Sequence, residues 1–144
     1  MTPNPLVGTW RLMSFHTKAS DGQINYLWGR DVTGFITYTA QGRVSVTITR
    51  ADRPRAATED MLALAVAEKA AAYDTCIAYA GTYEFQGDRV IHHVQVSLFP
   101  NWAGGDQVRL VELEGDRLSL STPPMPVSGV MRTGHLVWER VAVE

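Results

Sequence analysis

The stretch Gln107-Val108-Arg109-Leu110-Val111-Glu112-Leu113-Glu114-Gly115-Asp116-Arg117-Leu118-Ser119-Leu120-Ser121 alternates apolar and polar residues on both sides of a Gly-Asp turn. A two-residue turn at Gly115-Asp116 sets Leu113 opposite Leu118 and Val111 opposite Leu120, while Glu114 meets Arg117 and Glu112 meets Ser119. One face of this hairpin is therefore apolar and the other polar. The odd positions of its first strand, Arg109, Val111 and Leu113, point toward a core.

Working outward, the same signal recurs. Gln41-Gly42 separates Gly34–Thr39 from Val44–Arg50, and Gln86-Gly87-Asp88 separates Ile77–Phe85 from Arg89–Leu98. With a first strand near Thr9–His16 and a last near Gly134–Val141, the segments make eight strands, a number that suits a closed barrel with room for one small ligand. Pro123-Pro124 ends the third hairpin because proline cannot extend a hydrogen-bonded ladder. The exception to strand patterning is Thr58–Thr75, where Thr58 can cap, Glu59 and Asp60 favour the positive end of a helix, and Ala and Leu dominate the rest of the segment. The expected architecture is all-β: a closed, eight-stranded, antiparallel up-and-down barrel with one α-helix between strands three and four. Pairing the terminal strands so that Trp10 meets Arg140 also sets Leu12 against Trp138, Ser14 against Leu136 and Arg11 beside Glu139. One register satisfies both faces, so the barrel is expected to close.

Composition excludes several classes of function. At 144 residues, the chain is expected to form one domain that buries about 68–70% of its extended surface. A formal net charge of −2 lacks the basic footprint that phosphate-backbone binding requires, so nucleic acid is not an expected partner. Arg50, Arg53 and Arg55 gather around Asp52 and Pro54, which reads as a solvated loop or as a mouth that attracts anions. The single cysteine, Cys76, allows no internal disulfide. Met1–Val7 has neither a basic nor an apolar leader segment, and no run approaches the ~20 apolar residues of a membrane span. A soluble, cytoplasmic protein is expected, with no membrane partner.

Gly8-Thr9-Trp10 together with Trp138-Glu139-Arg140 resembles the lipocalin and calycin pattern. Tyr79-Ala80-Gly81-Thr82-Tyr83, His92-His93-Val94 and Ser97-Leu98-Phe99-Pro100-Asn101-Trp102 sharpen it to the bacterial and fungal lipocalin-like domain proteins. The resemblance runs over most of the chain. It implies that Trp10 plugs one barrel end with Arg140 stacked on it, and that the interior holds a ligand, not that a reaction is catalysed; no cofactor is expected. The absence of disulfides separates this chain from secreted lipocalins.

The chemical motifs of hydrolases, zinc proteases and nucleotide enzymes are missing. His92 and His93 are neighbours on a strand and point to opposite faces, so they cannot grip one metal ion from it, and no metal site is expected. Pairing Leu98 with Val108 would turn His93, Gln95 and Ser97 inward beside Arg109, with Val111, Leu113 and Leu120 completing an apolar cavity. His93 and Ser97 would then stand about 13 Å apart, too far for a nucleophile pair. The alternative leaves those polar residues in water and gives the lumen to Val90, Val94, Val96 and Leu98. Tyr79 and Tyr83 share the inner face only if the Gln86–Asp88 turn has three residues. Trp102 either closes the mouth or packs over the barrel end.

The leading function is binding of a small hydrophobic or amphipathic molecule carrying a carbonyl or carboxylate. Arg109 would anchor it, His93, Gln95 and Ser97 would orient it, and Tyr79, Tyr83 and Trp102 would complete the site. An isomerase or cyclase using His93 as proton shuttle is the alternative. A homodimer through the apolar outer face of Arg89–Leu98 and the helix is the third.

Overall fold

Each hairpin expected from a Gly-containing turn is present in the computed structural model, which describes residues 4–142; Met1–Pro3, part of the N-terminal stretch Met1–Val7, lie outside it. The strands are β1 (Gly8–Ala19), β2 (Ile24–Asn25), β3 (Val32–Tyr38), β4 (Arg43–Arg50), β5 (Cys76–Phe85), β6 (Arg89–Ser97), β7 (Asp106–Glu114), β8 (Arg117–Ser121), β9 (Met125–Val127) and β10 (Val130–Arg140). Neighbours pair antiparallel in the order β2-β1-β3-β4-β5-β6-β7-β8-β10-β9, and β1 pairs with β10 to close the sheet. With the short β2 and β9 set aside, eight strands form the barrel wall. β2 lies against the C-terminal end of β1 and β9 against the N-terminal end of β10, so both stand at the same barrel mouth.

Closure follows the register read from the sequence over Trp10↔Arg140, Arg11↔Glu139 and Leu12↔Trp138. A bulge at Met13 then slips the pairing by one, so that Ser14 meets Val137 rather than Leu136. The extra residue switches the inward phase from even to odd, which leaves Met13 46% exposed and buries Phe15 and Thr17. At the opposite end from the mouth, Trp10 is fully buried, its Nε1–H donates to the Leu6 carbonyl at 3.0 Å, and the Arg140 guanidinium lies 4.2 Å from its ring centroid. Arg140 also donates to the carbonyls of Val7 and Pro5. A cation over the indole face, tied to two backbone carbonyls and to the Asp116 carboxylate, seals this end.

The β7–β8 hairpin has the expected pairs, Val111↔Leu120, Leu113↔Leu118 and Glu114↔Arg117. Gly115 turns it with φ of +57°, a conformation that glycine adopts without steric cost.

The β6–β7 register differs from expectation. Val108 meets Ile91 instead of Leu98, an odd offset, and an odd offset exchanges the two faces of a strand. The connection causes the slip: β6 ends at Ser97, and the chain spends the next residues in a 3₁₀ turn at Pro100–Trp102. Val90, His92 and Val94 therefore face the core, while His93 and Gln95 face outward. Gln95 is itself a bulge residue, because Ala80 pairs with Val96 and Gly81 with Val94. Glycine is required at 81, since a Cβ there would run into the His93 carbonyl.

The helix α1 (Val66–Asp74) follows β4 and is shorter than the Thr58–Thr75 segment expected. Thr58 and Asp60 cap only local turns, through the amides of Asp60 and Leu62. Glu68 instead reaches back to the amides of Ala57 and Ala65 and fixes the helix start. No residue of α1 is buried, so it does not cover the outer face of the barrel as anticipated. Its end is tied to the mouth, where the Trp28 indole donates to the Asp74 carbonyl at 2.8 Å and Arg53 donates to Ala72. Among the described residues no helix is long and apolar enough to cross a membrane.

Candidate functional site

The barrel interior is divided into two connected chambers. The outer one, about 1310 Å³ and open at the mouth, is framed by Leu27–Asp31, Arg50–Asp52, Tyr73–Ala78, Leu98, Phe99, Trp102 and Met125–Ser128. The inner one, about 50 Å³, lies deeper among Ile36, Val46, Ile48, Tyr79, His92, Arg109, Leu120 and Trp138. Phe15, Ile77, Trp102 and Met125 line both and form the neck between them. A molecule entering here passes an apolar collar before it meets the polar groups at depth. That is the usual arrangement of a small-molecule site, with few polar groups in an apolar wall.

The polar groups are built by three adjacent strands. β5 supplies Tyr79, β6 supplies His92 and β7 supplies Arg109, all on the inner faces fixed by the β5–β6 register and the odd β6–β7 offset. The His92 ring is held between two hydroxyls, Tyr38 at 2.7 Å from Nε2 and Tyr79 at 2.6 Å from Nδ1. One ring nitrogen carries the proton and donates to its tyrosine oxygen, and the other accepts from its tyrosine O–H. Burial, reinforced by the positive charge of Arg109 and then by His93, pushes the His92 pKa down to about 3, so the imidazole is neutral. Burial also raises the pKa of Tyr38 and of Tyr79 above the ordinary tyrosine range, against the lowering influence of Arg109, and both remain protonated.

Arg109 is 9% exposed. Its terminal nitrogens donate to the Val108 carbonyl at 2.9 Å and to Gln107 Oε1 at 2.8 Å. No carboxylate lines the inner chamber, so the guanidinium charge has no counter-ion there. Trp138 completes the wall; it is 1% exposed, and its Nε1–H has no hydrogen-bond partner among the described residues.

His93 does not reach the lumen. It stands on the outer surface, with Nδ1 2.7 Å from Asp106 and Nε2 2.8 Å from Glu84, and these two carboxylates raise its pKa. A lumenal His93 proton shuttle is thereby ruled out by position. Gln95 is also outside, where its side-chain oxygen accepts from Arg43 at 2.8 Å. Ser97 pairs with Tyr79 beyond the bulge, but its hydroxyl reaches only the Ala78 carbonyl at 3.5 Å. Of the alternative even face, Val90 and Val94 are buried in the core and Leu98 is half-exposed at the outer chamber, while Val96 is exposed.

Tyr83 is buried at the closed end of the barrel, donating to the Thr39 carbonyl and accepting from Asn4, and does not line the chambers. Trp102 packs edge-on against Tyr79 at 5.9 Å and Phe99 at 5.4 Å in the neck. Two residues of the inner chamber, His92 and Trp138, and Tyr38 behind His92 were not among the ligand-site residues expected from the sequence. Their signal was parity, since His92 shares a face with Val90 and Val94, and Trp138 one with Leu136. Among the described residues no three His, Cys, Asp or Glu side chains stand close enough to hold a metal ion.

Comparison with known proteins agrees with this architecture. The family model described as Lipocalin-like domain matches residues 7–141. The 4'-hydroxy-3'-methoxypropiophenone carrier protein ppsC of Aspergillus oryzae (strain ATCC 42149 / RIB 40) is 33% identical over 107 residues, which cover 68% of this chain and 96% of that protein. No solved structure matches the chain. The closed barrel, the plugged end and the family match together place this chain in the lipocalin-like domain family.

Proposed function

We propose that the protein carries a small, mainly apolar organic molecule in its barrel, with a carbonyl or other polar oxygen directed at Arg109 and Tyr79. The observation that carries this reading is the position of Arg109, buried at the bottom of an apolar lumen with no carboxylate beside it. A buried cation without a partner is unfavourable by several kcal/mol, and a ligand oxygen relieves that penalty. The carrier name of the Aspergillus oryzae relative, whose stated cargo is an aromatic ketone, fits the same chemistry. Trp102 and Phe15 in the neck present aromatic edges to a flat body, while Trp28, Leu27 and Tyr73 receive whatever extends into the mouth.

The cytoplasm is the compartment we propose, since the single thiol of Cys76 is suited to a reducing environment. Val96 and Leu110 are exposed on the outer face and fit a contact between two copies, which a size measurement in solution tests. Calorimetric titration with 4'-hydroxy-3'-methoxypropiophenone tests the carrier reading itself. Saturable one-to-one binding, weakened at least about tenfold by Arg109→Met, is expected. Absence of binding to this and other aryl ketones refutes it.

A further inference from the structure

The inner chamber is chemically one-sided. Its wall offers hydrogen-bond donors and a positive charge, and nothing on it is anionic. The Arg109 guanidinium has five N–H groups; Val108 and Gln107 take two, and the Tyr79 oxygen lies within reach of the guanidinium. The Trp138 indole N–H is a donor only, and it is buried without a partner. Tyr79 is a third donor when His92 carries its proton on Nδ1. That N–H then donates to the Tyr79 oxygen, Tyr38 donates to Nε2, and the Tyr79 O–H is left free for the lumen.

The charged and titratable groups around this space are few. Tyr79, His92 and Arg109 line it from β5, β6 and β7, with Tyr38 behind His92 on β3. Neither Asp nor Glu lines it from any strand. Two residues toward the mouth from Gly134, Arg132 on β10 adds a second cation whose Nε and one terminal nitrogen are buried without partners. The aspartates of the outer chamber, Asp31, Asp52 and Asp74, stand above the neck. Asp52 is held by Arg50 at 2.6 Å.

We infer that the inner chamber holds a weakly acidic oxygen of a flat conjugated ligand, a phenol or an enol, in its ionised form, between Arg109 and the Trp138 indole N–H with Tyr79 as third donor. This rests on the carrier reading and specifies its ligand class. The proton that leaves the ligand goes to solvent during loading, because His92 is too weak a base to keep it. The protein therefore selects for acidity and flatness together. The apolar neck admits the ring, and the donor wall favours the anion over the neutral molecule.

The test uses 4-nitrophenol, whose ionised form absorbs visibly, beside 4-nitroanisole, its neutral methyl ether. At saturating protein the ionisation midpoint of bound 4-nitrophenol is expected to fall by about one unit or more, the effect of an opposite charge within ~4–6 Å. By linkage the phenolate then binds at least about tenfold more tightly than the neutral phenol, and 4-nitroanisole, standing in for that neutral form, should be the weaker ligand. Arg109→Met is expected to abolish the shift while 4-nitroanisole still binds. Trp138→Phe, which keeps an aromatic ring and removes the N–H, should lower the preference for the phenolate over 4-nitroanisole several-fold, and it serves where Arg109→Met does not fold. Equal binding of both compounds with an unshifted midpoint overturns the ionised oxygen and leaves the carrier reading standing. Binding of neither while 4'-hydroxy-3'-methoxypropiophenone binds overturns the ionised oxygen alone, and failure of all three overturns both.

Discussion

Replacing His92 by Gln should make the barrel less sensitive to acid. In the unfolded chain His92 titrates near 6.5, whereas burial, with help from Arg109, holds it near 3 in the barrel. Between those values the unfolded chain binds a proton that the folded one refuses, so stability is full above about pH 6.5 and falls as the pH drops toward 3. A gap of this size corresponds to about 5 kcal/mol at ~1.36 kcal/mol per unit. By about pH 4.5 more than half of it, roughly 3 kcal/mol, is already withdrawn, a substantial part of the ~5–15 kcal/mol that stabilises a typical domain. Gln can donate to one of Tyr38 and Tyr79 and accept from the other without titrating, so the variant keeps both hydrogen bonds and loses this pH dependence. Urea unfolding of both proteins between about pH 4.5 and pH 7.5 measures the difference. An unchanged slope, or an NMR titration placing the His92 ring midpoint near 6.5, would falsify the neutral, doubly hydrogen-bonded histidine.

Other perturbations probe the remaining parts. Trp10→Ala should destabilise by about 3–5 kcal/mol, since it opens a cavity at the sealed end and removes the ring under Arg140; a loss under about 1 kcal/mol in denaturant unfolding would show that the plug is dispensable. Arg109→Met should leave the melting temperature unchanged or raise it while ligand affinity collapses, because an uncompensated buried charge is replaced by an apolar chain; a drop of more than about 3 kcal/mol would mark Arg109 as structural. His93 has its pKa raised by Asp106 and then Glu84, so the stability it confers is present at low pH and is lost as the pH rises through that raised value. His93→Gln should remove this decline, and a wild-type melting temperature that does not fall between about pH 6 and pH 9 would contradict the clamp.

The parts of the fold that were legible in the sequence are those where a short turn sets a register. Gly115-Asp116 leaves one way to pair Val111 with Leu120, and that pairing is present. The terminal strands were legible as far as Leu12↔Trp138, where apolar and charged pairs agree on both faces; the bulge at Met13 has no signature in residue type, so the register beyond it was missed by one. The β6–β7 connection is long and folded on itself, and such a loop fixes neither register nor parity. Parity decided the site. The odd offset exchanged His93 for His92, although the two are adjacent and of the same type. Tyr79 and Tyr83 face inward with a two-residue Gly87-Asp88 turn, because Phe85 pairs with Val90 and the even face of β6 is the inner one. An unpartnered indole N–H, as at Trp138, depends on what lies across the barrel and cannot be read from a linear pattern.

The indole N–H signals of the four tryptophans report directly on whether the lumen is the binding site. Trp138 and Trp102 line the inner chamber, Trp28 lines the mouth, and Trp10 is bonded to Leu6 at the sealed end. On titration of ¹⁵N-labelled protein with 4'-hydroxy-3'-methoxypropiophenone, the Trp138 signal is expected to move most as its N–H gains an acceptor, with Trp102 next and Trp10 staying in place. A saturated complex in which Trp138 is unmoved, with the changes confined to Trp10 or to the outer face around His93, would contradict a ligand held inside the barrel.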